Sequence, residues 1–372
     1  MDQTVAVETT RSTKIEWKQL WSLAALYGSI VIGWIAYHNY QPKLLVKFNF
    51  TDFTFLLTIV QALILVITPP IAGKIGDRFR TSKGHRLPII TSGMSFAAMV
   101  FMSVAFTLLG NPGEIFKWIL PVLIVLWLIS MSIFTSPALS TLELFTPVEK
   151  LPTAMAVITI VGNLIYALEP VIVDIIDQLG APLTFLSGGV IVFLSGYALN
   201  RNSLDLFKQG DGSSKAAIKT DVKSDYGFIF LIGIAMGIGT TILFNLFPDI
   251  LEQKLSWLGN LPGKWYIVGI MIVAAIFTVP AGNVAVKYGN IQTLLYSLAV
   301  MLIASVGIFF LPAGIAVAFF AMVFAIAYTT LSVSSLPLAI TRAGFSEKVF
   351  CVGIFFSGTE LPMGIVDSIF AF

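Results

Sequence analysis

A chain of 372 residues that is 57% hydrophobic and only 11% charged, with a mean hydropathy of +0.90, carries more apolar surface than a water-soluble core can bury. It is predicted to be an all-α, multi-pass membrane protein, and a net charge of +2 confined to a few loops gives no footing for nucleic-acid binding. The single cysteine, Cys351, excludes an internal disulfide and a Cys-based metal site.

Residues 1–16 are polar and mixed in charge. The apolar run after them is too long for a signal peptide and lacks a small-residue cleavage site, so the first helix is expected to stay in the mature protein. A bilayer core takes roughly 20 apolar residues per helix. Eleven runs of that length follow, approximately 18–42, 53–76, 87–109, 117–140, 152–175, 182–200, 226–248, 264–286, 290–311, 313–336 and 349–371. Lys14, Lys18, Lys74 to Arg86, Arg201 to Lys223, Lys287, Arg342 and Lys348 fall on one side. Lys43, Lys47, Lys117, Lys254 and Lys264 are spread thinly on the other, so the N-terminus is predicted to be cytoplasmic.

Span 1 places Trp34, Tyr37, His38 and Gln41 on one helical face. Residues 69–88, read as a short loop between spans 2 and 3, form the densest charged stretch, with Gly73, Asp77, Arg78, Arg80, Lys83, Gly84 and Arg86. Topology alone requires neither Asp77 nor the glycines. Asp77 is expected to pair with Arg86, or with the positive N-terminal end of a neighbouring helix, and so to latch one bundle against the other. Span 5 carries Asn163, Tyr166 and Glu169, span 7 Thr241 and Asn245, and span 10 Tyr328, Ser332 and Ser335. Hydroxyls in membrane helices serve packing more often than ligands.

Residues 201–225 are polar, contain Gly210, Gly212, Ser213 and Ser214, and read as a cytoplasmic linker between a six-helix bundle (1–200) and a five-helix bundle (226–372). The halves echo each other. Pro70, Gly73 and Asp77-Arg78 parallel Pro280, Gly282 and Val286-Lys287, and Ser136-Pro137 onward to Glu149-Lys150 and Glu169-Pro170 parallels Ser335-Leu336-Pro337 onward to Glu347-Lys348 and Glu360-Leu361-Pro362. In span 11, Ser357, Glu360, Gly364 and Asp367 share a face, which cannot all meet lipid at tolerable cost.

The Gly73, Asp77-Arg78, Gly84, Arg86 pattern resembles the loop 2-3 signature of the major facilitator superfamily. More narrowly, residues 76–88 are similar to the Ser-Asp-Arg-x-Arg-x-x-x-Gly-Arg-Arg-x-Pro form of the sucrose and glycoside-pentoside-hexuronide branch, and Trp34, Tyr37, Asn39 and Pro42 resemble a span-1 stretch of its bacterial members. The resemblance implies an alternating-access secondary transporter with two helical bundles about a central cavity. His85, Gly76 and Val286 depart from the pattern, and the sequence ends at Phe372 inside an apolar run, so the twelfth helix of a major-facilitator-type fold is absent from it.

Within that frame, the expected substrate contacts are Trp34, Tyr37, His38, Gln41, Asn163, Tyr166, Asn245 and Tyr328, whose rings and polar tips suit a sugar; for the span-1 face an outer-interface aromatic belt is the alternative. Glu360 and Asp367 are the expected coupling residues, because desolvation favours the neutral form of a carboxylate and so ties it to a proton; a structural carboxylate is the alternative. Gly73, Asp77, Arg78, Gly84 and Arg86 form the expected gate. No His-x-x-x-His, Cys pair, Gly-x-Ser-x-Gly or phosphate loop is present, so no metal, cofactor, ATP-driven step or enzyme activity is expected. The expected function is symport of a sugar or glycoside with H+ or Na+ by a monomer in the plasma (inner) membrane. The alternatives are an exporter of amphipathic compounds, motivated by 30 Phe residues, and a transporter-like scaffold or sensor.

Overall fold

The structure is a computed structural model that describes residues 14–50, 53–110, 113, 115–210 and 223–370. Its helices are α1 Trp17–Lys47, α2 Thr54–Lys83, α3 Leu87–Leu109, α4 Phe116–Ser140, the single turn α5 Leu142–Phe145, α6 Leu151–Ala167, α7 Glu169–Gly210, α8 Tyr226–Thr241, α9 Phe247–Lys254, α10 Gly263–Tyr288, α11 Asn290–Phe310, α12 Ile315–Thr341 and α13 Lys348–Phe370. Among the described residues eleven helical segments are long and apolar enough to cross a bilayer, α8 and α9 counting as one across the π-helical stretch Ile242–Leu246. The fold is the all-α, eleven-span class expected from the apolar runs.

The stretch from 69 that reads as a loop is instead helix as far as Lys83. The turn is confined to Gly84 to Arg86, with Gly84 at φ 80° closing α2. Two prolines should interrupt such a helix, since Pro70 has no N–H to offer the Val66 carbonyl. Ser357 Oγ, on α13, donates to that carbonyl at 2.5 Å. The acceptor freed by proline is thus satisfied from the far end of the chain, and α2 continues through it.

The run Glu169–Gly210 is two helical arms meeting at Gly180 (φ 77°, ψ 161°). Thr184 Oγ1 donates to the Ile176 carbonyl at 3.1 Å, whereas residues eight apart on one straight helix lie about 12 Å apart. The chain therefore folds back at Gly180, and the arm before it continues the span that α6 begins. The second arm runs into the segment read as linker because Leu199, Ser203 and Phe207, all fully buried, repeat on one helical face. Residues 211–222 of that linker lie outside the described residues.

The helices before the linker (α1–α7) and after it (α8–α13) meet along two seams, α2 against α13 and α6 against α10. Lipid tails are as apolar as the side chains they touch, so close packing of small residues has to hold such seams. Gly364 faces Ala62, Gly353 faces the Pro69 carbonyl, and Gly73 faces the Val349 carbonyl and the Phe350 Cα. On its other side α13 meets α8 in the same way, with Gly233 against Phe355 and Gly358 against Phe230. α13 is therefore clamped between α2 and α8 by backbone-to-backbone contact.

Candidate functional site

A cavity of about 620 Å³ lies between the two groups of helices, walled by α1, α2, α4 and α6 from one and by α8, α12 and α13 from the other. It extends from Pro69, Leu139 and Leu336 up to Val46 and Thr54, that is, away from the face carrying the α2–α3 turn. Trp34, Tyr37, His38, Gln41, Asn163, Tyr166, Tyr328, Glu360 and Asp367 all line it. Asn245 stands one layer behind, its Nδ2 donating to Asp367 Oδ1 at 2.8 Å. It can do so because the π-helical stretch holding it carries one residue more per turn than an α-helix and rotates the side chains around it.

The span-1 face is divided between packing and cavity. Tyr37 is buried and stacks on Trp127 with ring centroids 4.4 Å apart at 7°, while Trp34 stands edge-on to Trp127 at 5.0 Å and stacks with His38 at 5.7 Å. Asn163 works across the halves: its Nδ2 lies 3.3 Å from Thr278 Oγ1 and 3.4 Å from Thr329 Oγ1, and the two hydroxyls are 3.0 Å apart. Thr278 and Thr329 are fully buried, so this triad ties α6 to α10 and α12 under the cavity. Among the described residues no hydrogen bond or ion pair reaches the Glu360 carboxylate, and no lysine or arginine lines the cavity.

The α2–α3 face is closed by charge. Of the two partners expected for Asp77, the structure brings the helix end to it: Asp77 accepts from Val349 N at 3.2 Å and Phe350 N at 2.8 Å, two orphan donors in the first turn of α13. Arg86 reaches Glu143 at 3.0 Å and the Ser140 hydroxyl at 2.8 Å. Glu143 in turn is gripped by Lys348 from across the seam. Gly73 and Gly84 play backbone parts, the first admitting α13 and the second ending α2. Arg78 points outward and is exposed, whereas Arg80 is buried, donates to the Phe345 carbonyl at 2.5 Å and lies 4.1 Å over its ring.

Sequence reasoning overlooked Glu143, Lys348 and Arg80 as gate residues. Glu143 had a usable signal: it is a lone acid one turn beyond an apolar span, and a carboxylate in that position, if buried, has to find a cation. Its partner lies 205 residues away, and nothing local names it. Gln61 and Thr159, which also line the cavity, carried no signal beyond being polar, and Ser136 was marked only by its place in the repeat between the halves.

Two helical groups that meet on one face and enclose a cavity between them define a multi-pass membrane protein with a central chamber. The model of the Major Facilitator Superfamily matches residues 20–366, and the chain belongs to that superfamily. None of the curated proteins matches the sequence. Among solved structures, the human organic anion transporter MFSD10 (TETRAN) is similar with a TM-score of 0.71 at 12% identity, over 96% of this chain and 93% of its own. The proton:xylose symporter XylE, bound to 6-bromo-6-deoxy-D-glucose, is similar with a TM-score of 0.64 at 13% identity, over 95% and 89%. At these identities the likeness is one of fold. Family and fold together place the chain among secondary transporters rather than enzymes.

Proposed function

We propose that this protein is a cation-coupled symporter of a sugar or glycoside, of the sucrose and glycoside-pentoside-hexuronide type, working by alternating access in a plasma membrane with its N-terminus inside. One observation carries this. The cavity offers aromatic rings and neutral hydrogen-bonding groups from both helical groups and carries carboxylates, but among the described residues no lysine or arginine. Rings that stack and amides and hydroxyls that donate and accept suit an uncharged polyhydroxylated solute. An organic anion, the cargo named for MFSD10, would meet two carboxylates and no counter-charge. A sugar, the cargo named for XylE, meets no such penalty.

In this reading Trp34, Gln41, Asn163, Tyr166 and Tyr328 contact the solute, Glu360 and Asp367 take up H+ or Na+, and Asn245 orients Asp367. A carboxylate without an ionic partner is costly in a bilayer unless it binds a cation or a proton, and that cost links solute loading to ion loading. A second reading, export of amphipathic compounds, is favoured by Met131, Met155, Met236, Met363, Phe244 and Phe356 along the same wall.

Proteoliposome uptake over a panel of mono- and disaccharides, with H+ and Na+ gradients imposed separately, tests the proposal. Accumulation of one sugar under one gradient is expected. Glu360→Gln should still equilibrate that sugar but lose accumulation against a gradient. Wild-type accumulation and wild-type pH dependence in Glu360→Gln would remove the coupling role, and absence of flux for every sugar by folded protein would remove the substrate class.

A further inference from the structure

We propose that the cavity also accepts an organic cation, a protonated or quaternary amine on an aromatic or hydroxylated frame, with its charge held at Glu360 and Asp367. This goes beyond symport of an uncharged sugar and rests only on the cavity, not on the sugar.

Three observations converge. First, the two carboxylates face the cavity from α13, and among the described residues no lysine or arginine lines that space; His38 is its one imidazole. Asp367 has an amide partner, Asn245, and Glu360 has none. An ammonium brought to this wall replaces water at an anion that the protein leaves unpaired, and it meets no fixed cation to repel it.

Second, aromatic faces ring the same space. Tyr27, Trp34, Tyr166, Phe244 and Tyr328 line it, with Tyr166 and Phe244 only 4.8 Å apart between ring centroids. Such faces attract a desolvated cation through their quadrupoles, which an uncharged solute cannot exploit. Third, the cavity holds unfilled hydrogen-bonding capacity. Tyr37 and Gln61, residues 7% and 8% exposed, line it, and Tyr37 Oη and Gln61 Nε2 are buried in its wall without a partner. Buried polar groups of this kind favour an occupant that supplies the missing bond. An amine-bearing sugar would satisfy all three.

The test uses the full chain in lipid nanodiscs and two probes of nearly equal shape, 1-methyl-4-phenylpyridinium and uncharged 4-phenylpyridine, at mildly alkaline pH. Binding is followed by tryptophan fluorescence, since Trp34 lines the cavity and contacts Trp127. The charged probe is expected to bind wild type tighter by about tenfold or more. Glu360→Gln should erase most of that preference while leaving 4-phenylpyridine binding as it was, and Asp367→Asn should erase part of it. Equal affinity for the two probes in wild type would overturn the proposal with no variant needed. So would a charge preference that survives in the double variant. Failure of sugar uptake leaves these outcomes unaffected, so the two proposals fall separately.

Discussion

Asp77 shows what one side chain decides. A carboxylate bridging Val349 N and Phe350 N occupies the positive end of α13 and holds α2 to it. Charge-assisted bonds of this kind contribute about 1.5–3 kcal/mol each. Asparagine keeps one acceptor oxygen and loses the charge, so Asp77→Asn is expected to loosen the closed face without preventing membrane insertion. Cys351 reports it directly, because it is the chain's single cysteine and is fully buried one residue beyond Phe350. Its maleimide labelling should quicken about tenfold in Asp77→Asn, the ratio that 1.4 kcal/mol of closure gives, and solute uptake should fall. Lower uptake at an unchanged labelling rate would mean that Asp77 acts somewhere other than this seam.

At the scale of elements, the seam between α2 and α13 rests on missing side chains. A Cβ on Gly73 would come within 2.6 Å of the Phe350 Cα and closer still to the Val349 carbonyl, and backbone cannot give way as a flexible side chain does. Overpacking of this sort costs about 1–3 kcal/mol. Gly269, on α10, has nothing within 4 Å of such a Cβ, and alanine there gains helix propensity worth up to about 1 kcal/mol. Thermal unfolding of the purified protein should therefore separate the pair: Gly73→Ala lowers the midpoint and stops transport, whereas Gly269→Ala leaves both at or above wild type. Equal midpoints would show that the seam tolerates a wider spacing. Most helix positions were legible from hydropathy, α3 to the residue. The length of α2 was not, because whether Pro70 ends a helix depends on Ser357 reaching the Val66 carbonyl from α13.

Over the whole molecule, the closed face is asymmetric. Gly282 repeats the part of Gly73, approaching the Pro152 carbonyl of α6 at 3.3 Å from a built Cβ. Four residues on, Val286 stands where Asp77 stands in the first half, and Val286 is 44% exposed against 8% for Asp77. A crevice of about 940 Å³ opens between the two seams, lined by Val148, Leu151 and the turn from Tyr288 to Gln292 on one side and by Glu143, Phe345 and Lys348 on the other. One seam is thus held by charge and the other by the buried Asn163, Thr278 and Thr329 triad deeper in. Hydrogen–deuterium exchange should show the amides of 345–351 protected well beyond those of 286–292; equal protection would contradict an asymmetric gate. Exchange at both sites should respond to a transported solute, since the alternating access proposed above must break both seams.

Sequence alone determined the membrane class, the eleven apolar spans, the repeated punctuation of the halves and the candidate polar faces. All of these are local: a helix in lipid satisfies its own backbone, so hydropathy and spacing suffice to find it. Tertiary structure decided the partners. It gave Asp77 the amides of Phe350 and Val349, 273 and 272 positions away. It also gave Glu143 to Lys348, turned Arg80 inward and Arg78 outward, and left Glu360 unpaired among aromatic rings. Those choices balance desolvation against charge and hydrogen bonding between segments far apart in the chain, and no window of sequence contains both sides of that balance.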